Sequence, residues 1–193
     1  MRDLFFGILL IGLLATPAPA VVTEQIVAIV NGQLLFQTDL LRDQIFFSQH
    51  HDVEKLVEHK LLLFEAKRFV LSPPQEDEID LSFQEVQKQF SNKAAFSNAL
   101  KETGLTIEGL KREILDRLWV KKLIRDRITF FIFITDEEIA QYYQGHQNDF
   151  EQKELKDSEK AIRAILEKEK EETKIKEYIA RIRSQANIEI NVR

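Results

Sequence analysis

The two ends of the chain carry the strand-like patterns. A β-branched run over Ile26–Val30, the dipeptide Asn31-Gly32 and a returning apolar run over Leu34–Phe36 predict a β-hairpin across residues 25–37. Apolar and polar residues alternate strictly over residues 187–192, which predicts a half-buried strand. An isolated hairpin is only marginally stable, so we expect this last strand to join it in one small antiparallel sheet.

Between these ends the apolar residues recur every three or four positions, which is the helical period. The pattern predicts five consecutive helices, over about residues 39–49, 54–69, 74–90, 94–102 and 107–128. We expect Thr38 and Thr106 to cap the helices that follow them. Gly104 can take the left-handed conformation that ends a helix.

The C-terminal third begins with an apolar, aromatic stretch, Thr129–Ile134, which is predicted to be extended. Thr135 with Glu138 forms a capping box, so a helix restarts there and ends near Gly145. A last long helix is predicted over residues 157–186, with no apolar residue in 167–174. Such a helix is usually a strut whose ends pack on different parts of the molecule. The predicted fold is therefore mainly α, a multi-helix domain with a small antiparallel sheet formed by the N-terminal hairpin and the C-terminal strand.

The first twenty residues have the features of a secretory signal peptide. Arg2 precedes an apolar run over residues 4–14, and Ala18-Pro19-Ala20 offers a small–x–small cleavage site. The run is too short to span a bilayer. We therefore expect cleavage after residue 20, a periplasmic location and no membrane segment in the mature chain. Residues 21–156 would form the helical domain, completed by the helix and strand of 157–193.

Composition excludes several kinds of chemistry. The formal net charge is −5 and there is no cysteine, which argues against nucleic-acid partners, thiol nucleophiles and thiolate metal sites. Only four glycines follow residue 20, too few for a phosphate-binding loop. His50-His51-Asp52 lacks the spacing of metal ligands, and capping explains the acidic run after Thr135. We expect no catalytic residue, no metal and no cofactor.

Aromatic residues are the more informative candidates. Phe130, Phe131 and Phe133 lie in one short segment, and core packing is the favoured interpretation because large apolar side chains are mostly interior. The functional alternative is an exposed patch that binds apolar segments of other polypeptides. The same groove could be lined by four further phenylalanines: Phe46, Phe47, Phe83 and Phe90.

The order of these elements resembles the SurA-type family of periplasmic chaperones over nearly the whole mature chain. The segments that carry the resemblance are Ile26–Gly32 with Thr38-Asp39-Leu40, then Val57–Ala66, then Ile134–Ile139 with Tyr142-Tyr143 and Phe150, and finally Tyr178–Ile190. The resemblance implies an ATP-independent holding chaperone that binds unfolded exported or outer-membrane proteins.

One departure from the family is large. Many members carry a parvulin-type prolyl isomerase domain after the Tyr-Tyr helix, and here only Glu151–Lys156 stands at that place. We therefore expect the isomerase module to be absent and the protein not to be an enzyme. Two alternatives stay open: a prolyl isomerase of unusual build, and an envelope assembly protein with one fixed partner. The C-terminal helix and strand could also be exchanged between two chains to give a homodimer.

Overall fold

The computed structural model describes residues 24–48, 52–69, 72–150 and 154–191. Within these residues the chain forms three strands, seven α-helices and two short 3₁₀ turns. The strands are β1 (Ile26–Val30), β2 (Gln33–Phe36) and β3 (Ile188–Ile190). The α-helices are α1 (Gln37–Phe47), α2 (Val53–Phe69), α3 (Glu76–Lys88), α4 (Lys93–Glu102), α5 (Ile107–Arg127), α6 (Asp136–Gly145) and α7 (Leu155–Arg183).

The sheet confirms the predicted fold class. Asn31 and Gly32 both have positive φ, 50° and 82°, as a two-residue hairpin turn requires. The strand order is β2-β1-β3, and both pairings are antiparallel. Ala28 lies opposite Leu35 on one side and Ile190 on the other, so the N-terminal hairpin and the C-terminal strand share one sheet. β3 pairs here within its own chain, and exchange between two chains stays a prediction.

The helices follow the sequence pattern closely, with one different cap. Thr106 accepts a hydrogen bond from the Gly109 amide at 3.0 Å, and Gly104 has φ 64°, both as expected. Thr38 does not cap α1, because that helix already begins at Gln37 and its N-cap residue is Phe36. The Asp39 carboxylate accepts from the Phe36 amide at 2.8 Å, and the Thr38 hydroxyl donates to Glu24 instead.

Three apolar clusters hold the described residues together. The first packs the sheet on α2, the C-terminal half of α5 and the end of α7. The second joins α1, α3 and α4 to the N-terminal half of α5. The third is smaller and consists of residues 132–134, α6 and the start of α7. α5 therefore supports the first two clusters, and α7 connects the first to the third.

The long helix α7 is the predicted strut. Ile162, near its start, is fully buried in the third cluster, and Ile182, near its end, is buried in the first. The polar middle is not solvated all round, because Lys170 and Glu171 contact the segment that precedes α6.

The prediction of an extended stretch over Thr129–Ile134 is wrong in its first half. Thr129–Phe131 forms a 3₁₀ turn, and the Phe131 and Ile132 amides donate back to the carbonyls of Ile128 and Thr129. A turn removes the alternation of faces that an extended strand would have imposed on the three phenylalanines.

Some sequence-based predictions fall outside the described residues. The signal peptide of residues 1–20 is one, and the pair His50-His51 is another. Among the residues that the structure covers, no helix is both long enough and apolar enough to cross a bilayer. The division into 21–156 and 157–193 stays a prediction.

Candidate functional site

The most exposed aromatic side chains of the described residues lie together between α5 and α6. Phe130, Phe131 and Phe133 are 73%, 64% and 74% exposed, so core packing is not their role. The rings of Phe130 and Phe131 meet edge to face with centroids 5.3 Å apart. Exposed apolar patches of this kind are typical of interaction sites on proteins.

Buried isoleucines fix both ends of this exposed segment. Ile128 closes α5 and is buried, and Ile134 is buried in the third cluster just before the capping box of α6. In that box the Thr135 hydroxyl accepts from the Glu138 amide, and the Glu138 carboxylate accepts from the Thr135 amide. The three phenylalanines are thus exposed in a segment whose two ends are held by buried isoleucines.

Polar contacts from α7 hold the segment in place. The Lys170 ammonium donates to the Phe133 carbonyl at 2.8 Å and lies 2.6 Å from the Glu138 carboxylate. The hydrogen bond from Lys170 lowers the pKa of Glu138 below its ordinary value of 4.5. Thr129 donates from its hydroxyl to Glu171. Residues from the polar middle of α7 therefore position the aromatic segment.

A cleft of about 780 Å³ opens between this segment and α7. Phe131 and Phe133 border it on one side, and Tyr178 with Arg181 borders it on the other. The Tyr178 hydroxyl donates to Glu65 at 3.0 Å, and burial together with that carboxylate raises the pKa of Tyr178 above its ordinary value. The cleft thus combines aromatic walls with a charged rim.

A second and larger cleft, of about 1240 Å³, lies among α2, α5 and α7. Its apolar lining includes Leu62, Ile124, Ile175 and Ile179. At 100° per residue, the α7 residues that line the two clefts fall on opposite faces of the helix. The middle of α7 therefore separates two open apolar surfaces.

The other four candidate phenylalanines lie elsewhere. Phe46 is fully buried in the second cluster, and Phe47, Phe83 and Phe90 are partly buried around it. Phe96, which the sequence analysis did not single out, lies at the centre of this group, with ring centroids 5.4–6.3 Å from those of Phe46, Phe83 and Phe90.

The structure does not bring the seven phenylalanines together in one groove, and their role in binding clients stays a prediction. The second cluster reaches Ile114 on α5, and the helical rise puts that residue about 20 Å from Ile128, where the exposed segment begins. The four rings pack edge to face on one another or on Phe96, inside the second cluster. The periodicity of α1 and α3 would predict this position. No local sequence pattern singles out Tyr178 and Arg181, since they become neighbours of the segment only when α7 packs back on α2.

No cluster of three or more histidine, aspartate or glutamate side chains suited to a metal ion occurs among the residues that the structure covers. The chemistry that the site offers is apolar burial with cationic contacts at its edge.

The curated relatives that the chain matches share one name, foldase protein PrsA. No family model matches the chain. It is 27% identical over 126 residues to the foldase protein PrsA of Clostridium botulinum strain Langeland, a match that covers 63% of this chain and 37% of that protein. It is 30% identical over 105 residues to the PrsA of strain Hall, covering 52% of this chain and 31% of the relative. The chain thus spans about a third of the length of these curated relatives.

This comparison corrects one prediction. The expectation that the protein is not an enzyme is contradicted by the name of its relatives, which are called foldase proteins. The matches cover only part of each relative, so the short link at residues 151–156 does not decide whether an isomerase module belongs to the protein. The finer resemblance to the SurA N-terminal region stays a prediction.

Proposed function

We propose that this protein is a holding chaperone that binds unfolded segments of exported proteins at the aromatic cleft. The observation that carries the proposal is the exposure of Phe130, Phe131 and Phe133, each by more than three fifths, beside a cleft large enough for a peptide. The name of the relatives, foldase, supports a role in protein folding.

The energetics fit reversible binding. Covering the exposed parts of three phenylalanine rings gives about 3–6 kcal/mol before the costs of ordering a flexible client are subtracted. The remaining free energy corresponds to weak binding of a single segment, and contacts at several segments of one client would add to it. Such binding is driven by apolar burial and needs no ATP.

The cellular setting is part of the proposal. The pattern of residues 1–20 supports export through a cleaved signal peptide into the periplasm. The clients would then be unfolded exported proteins, with outer-membrane protein precursors as the class to test first.

The first test measures aggregation of a denatured outer-membrane protein, followed by light scattering after dilution into buffer. The wild-type chain at equimolar ratio should suppress most of the scattering. The triple variant Phe130→Ser, Phe131→Ser, Phe133→Ser should lose most of this effect, because it removes the apolar surface that the client would cover.

Leu81→Ser is the matched control, since Leu81 is 62% exposed on α3, away from the cleft. It should suppress aggregation as well as wild type does. Absence of suppression by the wild-type chain at stoichiometric excess, or full activity of the triple variant, would contradict the proposal. Circular dichroism of each variant checks that the helices are retained.

The name of the relatives favours a second candidate, a folding catalyst that accelerates prolyl isomerisation. Refolding of a protein limited by a cis-proline would be followed with and without the chain. A rate that rises in proportion to chain concentration supports catalysis, whereas slower refolding with the same final yield supports holding alone.

A further inference from the structure

Two arginines at the rim of the aromatic cleft are held by rings rather than by carboxylates. The Arg181 guanidinium carbon lies 4.6 Å from the centre of the Tyr178 ring, and that of Arg127 lies 5.6 Å from the centre of the Phe69 ring. Arg127 also donates to the Phe69 carbonyl at 3.4 Å. Across the described ranges, neither guanidinium has a carboxylate oxygen within 4.0 Å.

The other cations of the cleft already have partners. Lys170 pairs with Glu138, and Lys174 pairs with Glu177 at 2.8 Å. The donors left for a ligand are therefore concentrated on Arg127 and Arg181. A guanidinium is a planar fork of donors that matches a carboxylate in two parallel hydrogen bonds, and stacking on a ring restricts its orientation in advance.

The arrangement along α7 places these groups relative to the aromatic segment. The α7 residues that line the cleft run from Glu169 to Arg181, which is about 18 Å of helix and matches about five residues of extended chain. Phe133 lies at the Lys170 end of this length. Arg181 lies at the other end, so a bound segment would meet aromatic rings first and a guanidinium within about five residues.

Arg127, the last residue of α5, lines the same cleft. α2 runs antiparallel to α7, because Glu54 pairs with Arg183 and Glu65 accepts from Tyr178. Arg127 lies beside Phe69, the last residue of α2. The two guanidiniums approach one cleft from different walls.

We infer that the cleft selects apolar client segments that carry an acidic side chain within about five residues of the apolar anchor, with Arg127 and Arg181 as the carboxylate-binding residues. The inference rests on the proposed function and adds charge complementarity to it. The cleft lining holds four cationic side chains against two acidic ones, Glu169 and Glu177, so its cationic character is local in a chain whose net charge is −5.

The experiment uses fluorescent peptides with one apolar core and different flanks, measured by fluorescence anisotropy on the full chain. The flanking residue is Asp, Asn or Lys, and each peptide has an amidated C-terminus. We expect the Asp peptide to bind about 3- to 10-fold more tightly than the Asn peptide at low salt, and the Lys peptide to bind most weakly. The difference should shrink at about 0.5 M salt, because exposed charges are screened.

Three variants locate the effect. Arg127→Gln and Arg181→Gln should each reduce the preference for the Asp peptide over the Asn peptide, and the double variant should remove it. Arg112→Gln is the matched control, because Arg112 is exposed on α5 and takes no part in the cleft. It should keep the full preference.

The outcomes separate the inference from the proposed function. Equal binding of the Asp and Asn peptides overturns the inference, and so does an equal loss of the Asp preference in Arg112→Gln. Either result leaves the chaperone proposal standing. A further Asn peptide is made with a free C-terminal carboxylate; if it binds tightly while the amidated Asp peptide does not, the inference is also overturned, because an internal acidic side chain is then not the ligand. Failure of every peptide to bind overturns both.

Discussion

At the scale of single residues, the main surprise is a group of charges between α1 and α5. Asp43 is 5% exposed and pairs with Arg117, whose guanidinium carbon lies 3.6 Å from the centre of the Phe47 ring. Glu113 lies one turn before Arg117 on α5. Burial raises the pKa of Glu113 above its ordinary value of 4.5, and repulsion from Asp39 adds to the shift. A hydrophobic pattern does not predict this cluster, because each member looks like a surface charge in sequence.

The pKa of Glu113 predicts a pH dependence of stability. The folded state holds the proton more tightly than the unfolded state, so folding takes up protons between pH 4.5 and the raised pKa. The free energy of unfolding contributed by this group therefore falls as pH rises through that window. Glu113→Gln should remove the fall and leave the variant more stable than wild type at pH 7.

Urea denaturation at pH 4 and pH 7 measures this effect. The gain from Glu113→Gln should be larger at pH 7 than at pH 4. Glu85→Gln, at a carboxylate that is 70% exposed and paired with Lys88, is the control and should shift stability by less than about 0.5 kcal/mol at both pH values. An equal shift for Glu113→Gln at both pH values would show that its carboxyl is not perturbed by folding.

At the scale of elements, the connection between α5 and α6 is a positioned surface rather than a loose link. The 3₁₀ turn at its start, the capping box at its end and the Lys170 contact each fix part of the backbone. The apolar side chains between these fixed points are left outside. Polar groups of α6 and α7 thus contact the two ends of an exposed apolar segment.

Lys170→Met tests whether α7 holds this segment. The variant keeps the alkyl stem but removes the hydrogen bond to the Phe133 carbonyl and the pairing with Glu138. Because a partly exposed ion pair contributes up to about 1 kcal/mol, hydrogen exchange over residues 129–135 should become up to about fivefold faster. Hydrogen–deuterium exchange with mass spectrometry gives the measurement.

The control for this variant is Lys168→Met, since Lys168 is exposed two residues earlier on α7 and does not line the cleft. Its exchange over the same residues should match wild type. Unchanged exchange in Lys170→Met would mean that the 3₁₀ turn and the capping box are sufficient to hold the segment.

At the scale of the whole molecule, α7 ties the ends of the fold together. It begins in the third cluster, crosses between the two clefts and ends in the first cluster beside the sheet. Arg183 pairs with Glu54 at 2.7 Å, so the helix is fixed to α2 by charge as well as by packing. Both clefts depend on the position of this one helix.

Ile162→Ala tests whether the two ends of α7 unfold together. Ile162 is fully buried in the third cluster, while the single tryptophan, Trp119, packs on the first. If the helix couples the clusters, the variant should lower the free energy of unfolding reported by Trp119 fluorescence by about 2–4 kcal/mol. Ile182→Ala is the comparison. It should lower the same free energy of unfolding without any coupling through α7, because Ile182 lies in the first cluster with Trp119.

A transition of Trp119 unchanged by Ile162→Ala, with a separate loss of helix by circular dichroism, would indicate that the third cluster unfolds independently. The clefts would then open without loss of the sheet and α2.

The sequence by itself determined the strands and the α-helices, but not the 3₁₀ turn at Thr129–Phe131. The Asn31-Gly32 turn, the helix caps at Thr106 and Thr135 and the periodicity of α1–α5 act over a few residues, so they can be identified without the fold. Pairing of the two chain ends followed from the lack of any other strand for the hairpin. The turn, the caps and the periodicity are local features, and the sequence offers the hairpin no other strand of comparable quality.

Only the tertiary structure decided which aromatic residues are exposed. Phe46 and Phe131 are equally apolar in sequence, yet one lies at the centre of a packed cluster and the other borders a cleft. The difference depends on where α3, α4 and α7 pack, and on residues more than 30 positions away such as Lys170. Exposure and charge complementarity are properties of the assembled surface, because they are set by long-range neighbours that no local pattern encodes.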